Sequence, residues 1–356
     1  MKKKVKKFIK IGKKKDFTRI VLFVLVLVFF ILIWSLFFLS RPEFKIAVCG
    51  DGTLGGKCSD LKPYFCLNGT LVERASVCGC PELLSRYGNV CLSQYQSNPK
   101  NISLEYILRG ERGEINFVAY EGMYNYLLNL PNSFYYSNGN GSIRQNFKFK
   151  KINEAEQREL LLPLVVEIQN AVSDKTEQAR IAISLVQRIP YKESEKTIVV
   201  GFNRINYSRF AYEVLYEMQG ACEGRSELLA FLLKELGYGV GLFYYPMEDH
   251  EAVGINCPNE FSLNDSEYCF IETTGPSILS NYEEYYLGLG KLTSEPEVIF
   301  ISDGESLGSD LYEYKDAKEF IKLSDLVEER GELNIFRHYK YNALKEKYGL
   351  QYKINL

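Results

Sequence analysis

The sequence of 356 residues is poor in side chains on which several kinds of site depend. It has only two histidines, His250 and His338, which excludes catalysis at a zinc ion held by several imidazoles. Its single tryptophan, Trp34, lies in an apolar run near the N-terminus, so no tryptophan can donate a hydrogen bond in a site of the main part. No metal-binding or nucleotide-binding motif is present, and we expect neither a metal nor a cofactor.

The net charge is also small, at −2, but it conceals an asymmetry along the chain. Residues 1–19 contain ten Lys and Arg residues and one acid, which leaves 33 basic and 44 acidic residues for the rest. This remainder has a net charge of −11, whereas proteins that bind nucleic acids usually present a basic surface. We therefore expect no nucleic acid partner. An apolar content of 46% excludes disorder of the whole chain.

Residues 20–39 (IVLFVLVLVFFILIWSLFFL) are twenty residues without a charge. A helix of this length spans about 30 Å, the hydrocarbon thickness of a bilayer. The apolar part of a cleavable signal peptide is usually shorter, about 7–15 residues, and no small-residue cleavage site follows here. The sequence therefore predicts a single-pass signal anchor in contact with the lipid bilayer. With the basic tail of residues 1–19 in the cytoplasm, residues 41–356 would lie outside.

Six of the nine cysteines lie within residues 49–91, a stretch rich in glycine with almost no periodic apolar pattern. Such a segment buries little core, so crosslinks must limit its unfolded state. A zinc site is the alternative, because Cys78 and Cys80 are close together. We expect disulfides, in an order that the sequence does not reveal, among Cys49, Cys58, Cys66, Cys78, Cys80 and Cys91.

Glycosylation acceptors of the type Asn-x-Ser/Thr agree with an extracytoplasmic location, although such motifs also arise by chance. They occur at Asn68, Asn101, Asn140, Asn206 and Asn264.

The order of predicted helices and strands after the cysteine-rich segment indicates an α+β chain. A helix is predicted over 175–188 with Asp174 as its N-cap, and a polar amphipathic helix over 325–348. Between them, short runs rich in Val, Ile, Phe and Tyr predict strands. These strands are 240–245, 251–256, 268–273 and 298–301.

Cys222 has no partner once the other cysteines are assigned. Cys257 and Cys269 flank a polar turn between two predicted strands, and we expect them to form a disulfide. Cys222 begins a Leu-rich predicted helix that ends before Gly237, and a helix N-terminus favours a thiolate. An unpaired thiol in an oxidising compartment is a liability unless it is buried or used, so the position of Cys222 indicates use.

Two side chains of the predicted strands complete a site of nucleophilic catalysis. If the strands that carry His250 and Glu272 form a hairpin, side-chain alternation places both on one face. Cys257 and Cys269 then fall on the other face. Cys222 would be the nucleophile and His250 its base, with Glu272 as the residue that orients the base. Gln219 and Gly220, three and two residues before the thiol, are candidates for oxyanion or substrate contacts.

The order of these motifs resembles the transglutaminase-like superfamily. The motifs are Ile-Pro-Tyr at 189–191, Gly-Ala-Cys-Glu-Gly-Arg-Ser at 220–226, His-Glu-Ala-Val-Gly at 250–254 and Glu-Thr-Thr at 272–274. The resemblance covers 151–300 and implies a papain-like fold, with the cysteine on a helix packed against an antiparallel sheet. It also implies a triad of Cys222, His250 and Glu272, although the family more often has Asp at the third position.

The activity that this resemblance implies is that of a thiol enzyme acting on peptide or glutamine amide bonds, with a protein or peptide substrate outside the cell. Hydrolysis and transfer to an amine both remain open. The alternative is a non-catalytic cell-surface binding module that keeps the fold. The predicted organisation is a basic tail (1–19), a transmembrane segment (20–39), a disulfide module (49–91), a small α/β extension (101–150), a transglutaminase-like core (151–300) and a C-terminal extension (301–356).

Overall fold

The chain forms two compact units, Met1–Ile46 and Ala47–Leu356. The computed structural model describes residues 17, 19–35, 47–130, 143–200, 203–281 and 292–350. Most of the predicted basic tail and the glycosylation candidate Asn140 lie outside the described residues.

The predicted transmembrane anchor at 20–39 is wrong. In the first unit the structure describes a helix, α1, over 19–35. Among the described residues, no helix is both long enough and apolar enough to cross a membrane. The predicted single-pass localisation is wrong for the same reason.

The second unit begins with a segment crosslinked by three disulfides, Cys49–Cys66, Cys58–Cys78 and Cys80–Cys91. These bonds fit the expectation of a disulfide-linked module and leave none of the six sulfurs free to bind zinc. The segment's elements are β1 (Tyr64–Leu67), β2 (Thr70–Glu73), α2 (Ala75–Cys78), β3 (Ser85–Tyr87) and β4 (Val90–Leu92). The Asn170 side chain bonds both backbone polar groups of Leu71, which ties the segment to a helix of the core.

A long antiparallel hairpin and a set of helices follow this segment. The elements are β5 (Pro99–Leu108), β6 (Glu111–Tyr120), α3 (Glu121–Leu128), α4 (Ile143–Ile152), α5 (Ala155–Ala171), α6 (Lys175–Gln187), β7 (Thr197–Val200) and β8 (Asn203–Asn206). Helix α6 agrees with its predicted bounds, because the Asp174 side chain accepts a hydrogen bond from the N–H of Glu177 at 2.9 Å.

The core of the unit is the buried helix α8 (Cys222–Glu235), which follows the short helix α7 (Ala211–Glu217) and packs on a four-stranded antiparallel sheet. The strands of this sheet are β9 (Val240–Tyr245), β10 (His250–Asn256), β11 (Tyr268–Ile271) and β12 (Glu297–Ser302). The strand order is β11-β10-β9-β12. The leucines of α8 share one apolar core with Val253 and Ile255 of β10. The chain is thus of the α+β class, with antiparallel sheets.

The C-terminal part departs from its prediction. A single helix over 325–348 is wrong, because the structure contains α9 (Tyr312–Arg330) and α10 (Ile335–Tyr348). Gly331, at φ 75°, ends α9 in the left-handed conformation that glycine adopts without strain. Asn334 then begins α10, and its side chain accepts from the N–H of Arg337 at 3.0 Å.

Candidate active site

Cys222 is the first residue of α8 and the one cysteine of the nine outside a disulfide. Ala221 is the N-cap, and no side chain caps the helix. The N–H groups of the first turn and the positive end of the helix dipole therefore lie at the sulfur, where they stabilise negative charge. Cys222 is 9% exposed, so the thiol sits at the boundary between core and surface.

The β10–β11 hairpin brings His250 and Glu272 together. Val253 pairs with Ile271 and Ile255 with Cys269, so the register places His250 and Glu272 on the same face. The Nε2 atom of His250 lies 2.9 Å from Oε2 of Glu272. Cys257 and Cys269 form the fourth disulfide, at the other end of the hairpin and on its opposite face. The arrangement is the one that side-chain alternation predicted.

Cys222, His250 and Glu272 form a continuous chain of contacts. The His250 ring hydrogen-bonds the Cys222 side chain as well as Glu272. Burial lowers the pKa of His250, but the Glu272 carboxylate and the Cys222 side chain outweigh it and raise the pKa to about 10. The imidazolium form of His250 is therefore the favoured one at neutral pH.

The Glu272 carboxylate is itself held by three donors. Its Oε1 atom accepts from the N–H of Thr273 at 3.0 Å, and from the N–H and the Oγ1 hydroxyl of Thr274 at 2.7 and 2.6 Å. Its backbone carbonyl accepts from the Gln187 side-chain amide of α6 at 2.8 Å. Both carboxylate oxygens are thus engaged, one by the threonines and one by His250. The glutamate side chain thus connects the two threonines to His250.

Gln219 and Gly220 are both engaged within the chain. The Gln219 amide donates to Glu217 at 3.1 Å, and the Gly220 N–H donates to the Pro190 carbonyl at 3.2 Å. The Lys192 N–H in turn donates to the Gly220 carbonyl, so the segment after α6 runs beside the residues that precede Cys222. The backbone N–H of Cys222, at the uncapped start of α8, is the better-placed oxyanion donor.

Two residues near the thiol had no role predicted from the sequence. Tyr191 lies in the segment beside Gly220, and burial raises its pKa to about 12, with the nearby Cys222 contributing. Arg225 is one turn along α8 from Cys222 and is fully buried. The available signal for Arg225 was its position three residues after Cys222 at the start of a Leu-rich helix, which places it one turn along from the thiol.

A buried cluster of ion pairs includes the residues that directly follow Cys222 and His250. Lys148 of α4 contacts Glu227 and Glu251 at 2.9 Å each, and Glu223 at 3.9 Å. Lys151 contacts Glu227 at 2.8 Å. Burial raises the pKa of Glu251 to about 7, against the attraction of Lys148. Since Glu223 follows Cys222 and Glu251 follows His250, helix α4 braces the backbone on both sides of the site.

Three of the glycosylation candidates lie at the surface of the second unit. Asn68, Asn101 and Asn264 are exposed, and Asn206 lies in β8. The described residues contain no group of three or more His, Cys, Asp or Glu side chains that could hold a metal ion.

No known protein family, curated protein or solved structure matches the chain. The resemblance of residues 151–300 to the transglutaminase-like superfamily therefore stays a prediction.

Proposed function

We propose that this chain is a thiol enzyme that acts on peptide or glutamine amide bonds through Cys222, His250 and Glu272. The observation that carries the proposal is the unbroken contact from a free thiol at a helix N-terminus to a histidine and from the histidine to a carboxylate. The other eight cysteines are in disulfides, which indicates a chain that matures in an oxidising compartment.

The first half of the reaction follows from this arrangement. The Cys222 thiolate attacks the carbonyl carbon of the amide, and a C–S bond forms as the carbonyl π electrons move to oxygen. The resulting oxyanion accepts a hydrogen bond from the Cys222 N–H. The His250 imidazolium gives its proton to the amine nitrogen, the C–N bond breaks, and a thioester is left on Cys222.

The second half regenerates the thiolate. Neutral His250 takes a proton from water or from a second amine, which attacks the thioester and releases an acid or a new amide. Glu272 engages Nε2, so the other ring nitrogen of His250 exchanges protons in both halves. Hydrolysis and amine transfer differ only in this second nucleophile.

A second function, a non-catalytic binding module, is favoured by one observation. Cys222 is 9% exposed, so little of the thiol meets solvent before a substrate arrives. In that case the fold would be kept for its surface, and the thiol would be inert.

Alkylation of the native chain by iodoacetamide across pH tests the proposal, because Cys222 is the only free thiol and every adduct reports it. We expect a reactive thiol whose rate inflects below the ordinary cysteine pKa of about 8.5. His250→Ala should raise that inflection, whereas His338→Ala, an exposed histidine of α10, is the matched control that should not.

Turnover is tested in parallel with a quenched peptide library and with incorporation of a fluorescent amine into a glutamine-rich protein. Cys222→Ala should eliminate whichever signal the wild-type chain gives. A thiol that alkylates only as an ordinary buried cysteine, with no turnover in either assay, would replace the enzyme with the binding module.

A further inference from the structure

Arg225 is a buried cation without an ion-pair partner among the described residues. Its side chain is fully buried, and no described carboxylate lies within salt-bridge distance of it. Its Nη2 atom donates to the carbonyls of Val186 and Gln187, at 3.0 and 3.1 Å, which end helix α6. Its Nε and Nη1 atoms find no hydrogen-bond acceptor within the described part of the chain. A packed core rarely keeps such a charge without a compensating negative one.

The groups that attract Arg225 through space belong to the candidate active site. They are Glu272 after β11, Cys222 on its own helix and Tyr191 beside Gly220. Residues three apart in a helix are neighbours, so Arg225 lies one turn below the thiol. Its stem packs where a side chain at Gly220 would have to be, since a Cβ there would meet Cγ of Arg225 at 3.1 Å.

Arg225 also belongs to a closed ring of contacts around the site. It bonds the backbone of Gln187, whose side chain holds the backbone of Glu272. Glu272 bonds His250, His250 bonds Cys222, and Cys222 shares α8 with Arg225. The guanidinium is therefore fixed relative to the thiol by three different elements.

We propose that Arg225 is a positioning residue whose charge stabilises the Cys222 thiolate; this inference rests on the proposed function. It keeps that charge at neutral pH, because burial lowers its pKa only to about 10 while Glu272, Cys222 and Tyr191 oppose the change. With the thiolate and Glu272 both negative, Arg225 and the His250 imidazolium balance them. The buried site is then electrically neutral with the nucleophile already ionised.

The test compares the pH dependence of iodoacetamide alkylation in two variants of the full chain. Arg225→Gln removes the charge but keeps an amide that can donate to the Val186 and Gln187 carbonyls. We expect its thiol midpoint to rise by at least about one pH unit, so that alkylation at low pH slows about tenfold or more. Arg225→Lys keeps the charge and should stay within about threefold of wild type. Arg180→Gln, at an ion pair of α6 with Glu313, is the matched control and should leave the profile unchanged.

The melting temperature does not separate a structural role from an electrostatic one. Both Arg225 variants should melt at lower temperature, since both weaken the bonds to the carbonyls of α6. The pH profile of alkylation separates the two roles. A folded Arg225→Gln chain with the wild-type profile would overturn the inference and leave the proposed function intact. An equal upward shift in Arg225→Lys would overturn it too, because packing rather than charge would then set the midpoint. A wild-type midpoint at or above about 8.5 would overturn both proposals.

If Arg225→Gln does not fold, His250→Ala decides the matter with Arg225 intact. A thiol midpoint that remains below about 8.5 without the imidazole supports Arg225 as the stabilising charge. A midpoint at or above that value shows that His250 alone held the thiolate and overturns the inference.

Discussion

Glu272→Gln is the substitution whose effect the structure defines most sharply. The Oε1 atom of Glu272 accepts three hydrogen bonds from Thr273 and Thr274, and Oε2 faces Nε2 of His250. In the glutamine variant the amide oxygen must stay with the three donors, so the NH₂ group is turned toward His250. Nε2 must then accept rather than donate, which moves the proton of the neutral ring to Nδ1. An isosteric change therefore disturbs both the charge and the tautomer of the base.

The magnitude follows from the pKa of His250. A value of about 10 lies 3.5 units above the ordinary 6.5, which corresponds to about 5 kcal/mol at 1.36 kcal/mol per unit. Burial opposes this rise, while Glu272 and Cys222 share in producing it. Loss of the carboxylate charge and of its hydrogen bond should remove about 3 kcal/mol, or about 2 pH units. Because the wrong tautomer also prevents proton transfer, turnover should fall by about 10³- to 10⁴-fold.

Nitrogen NMR of histidine-labelled protein measures both consequences, since the chain has only two histidines and His338→Ala assigns them. We expect the His250 midpoint to fall by about 2 units in Glu272→Gln and the neutral ring to carry its proton on Nδ1. Glu313→Gln, a buried carboxylate paired with Arg180 away from the site, is the control that should change neither. An unshifted midpoint, or a neutral ring still protonated on Nε2, would refute the reasoning.

Glu272→Asp separates charge from reach. The aspartate keeps the negative charge but is shorter by one methylene, so it cannot hold the threonine donors and His250 at once. We expect it to retain more alkylation reactivity and turnover than Glu272→Gln, although less than the wild-type chain. Activity of Glu272→Asp below that of Glu272→Gln would mean that side-chain length matters more than charge here.

Three further predictions concern the free energy of unfolding. Replacing Cys257 and Cys269 by serine opens a short loop and should cost about 3 kcal/mol in urea titrations, and no loss would show that the bond does not constrain the unfolded chain. The stability lost in His250→Ala should be largest below about pH 6.5 and disappear as pH rises toward 10, since the folded pKa is the raised one; a pH-independent difference contradicts this. Lys148→Met leaves buried Glu251 unpaired and Glu227 with Lys151 alone, and it should cost about 3–5 kcal/mol, whereas a neutral result would show the cluster to be replaceable.

The sequence reveals the local features of this fold better than its long-range ones. Asp174, at an N-cap, and the alternation around His250 and Glu272 depend on nearest neighbours, and the structure follows both. The break at Gly331 had a local signal as well, a glycine followed by the capping residue Asn334, which the amphipathic pattern across it obscured. Apolarity alone predicted the anchor, but among the described residues no helix is both long enough and apolar enough to cross a membrane.

The parts of the site that could not be predicted all depend on contacts between distant segments. Lys148 meets Glu227 and Glu251 only because α4 packs against α8 and β12, and no spacing in the sequence brings these residues together. Arg225 is similar, since its role depends on the end of α6 and on Glu272. Charges in a lysine- and glutamate-rich chain read as surface residues until tertiary structure shows which of them are buried.

The β10–β11 hairpin carries the pair of His250 and Glu272 at one end and the Cys257–Cys269 disulfide at the other. Cys257 comes seven residues after His250, which is about 23 Å along an extended strand. That crosslink holds the two ends of the loop of residues 258–268 together, so a distortion within the loop is resisted at the disulfide. Asn264 is exposed near the middle of the loop. A fluorophore, an affinity tag or a sugar chain attached at this asparagine can therefore be carried by the protein while the pairing of His250 with Glu272 stays as it is.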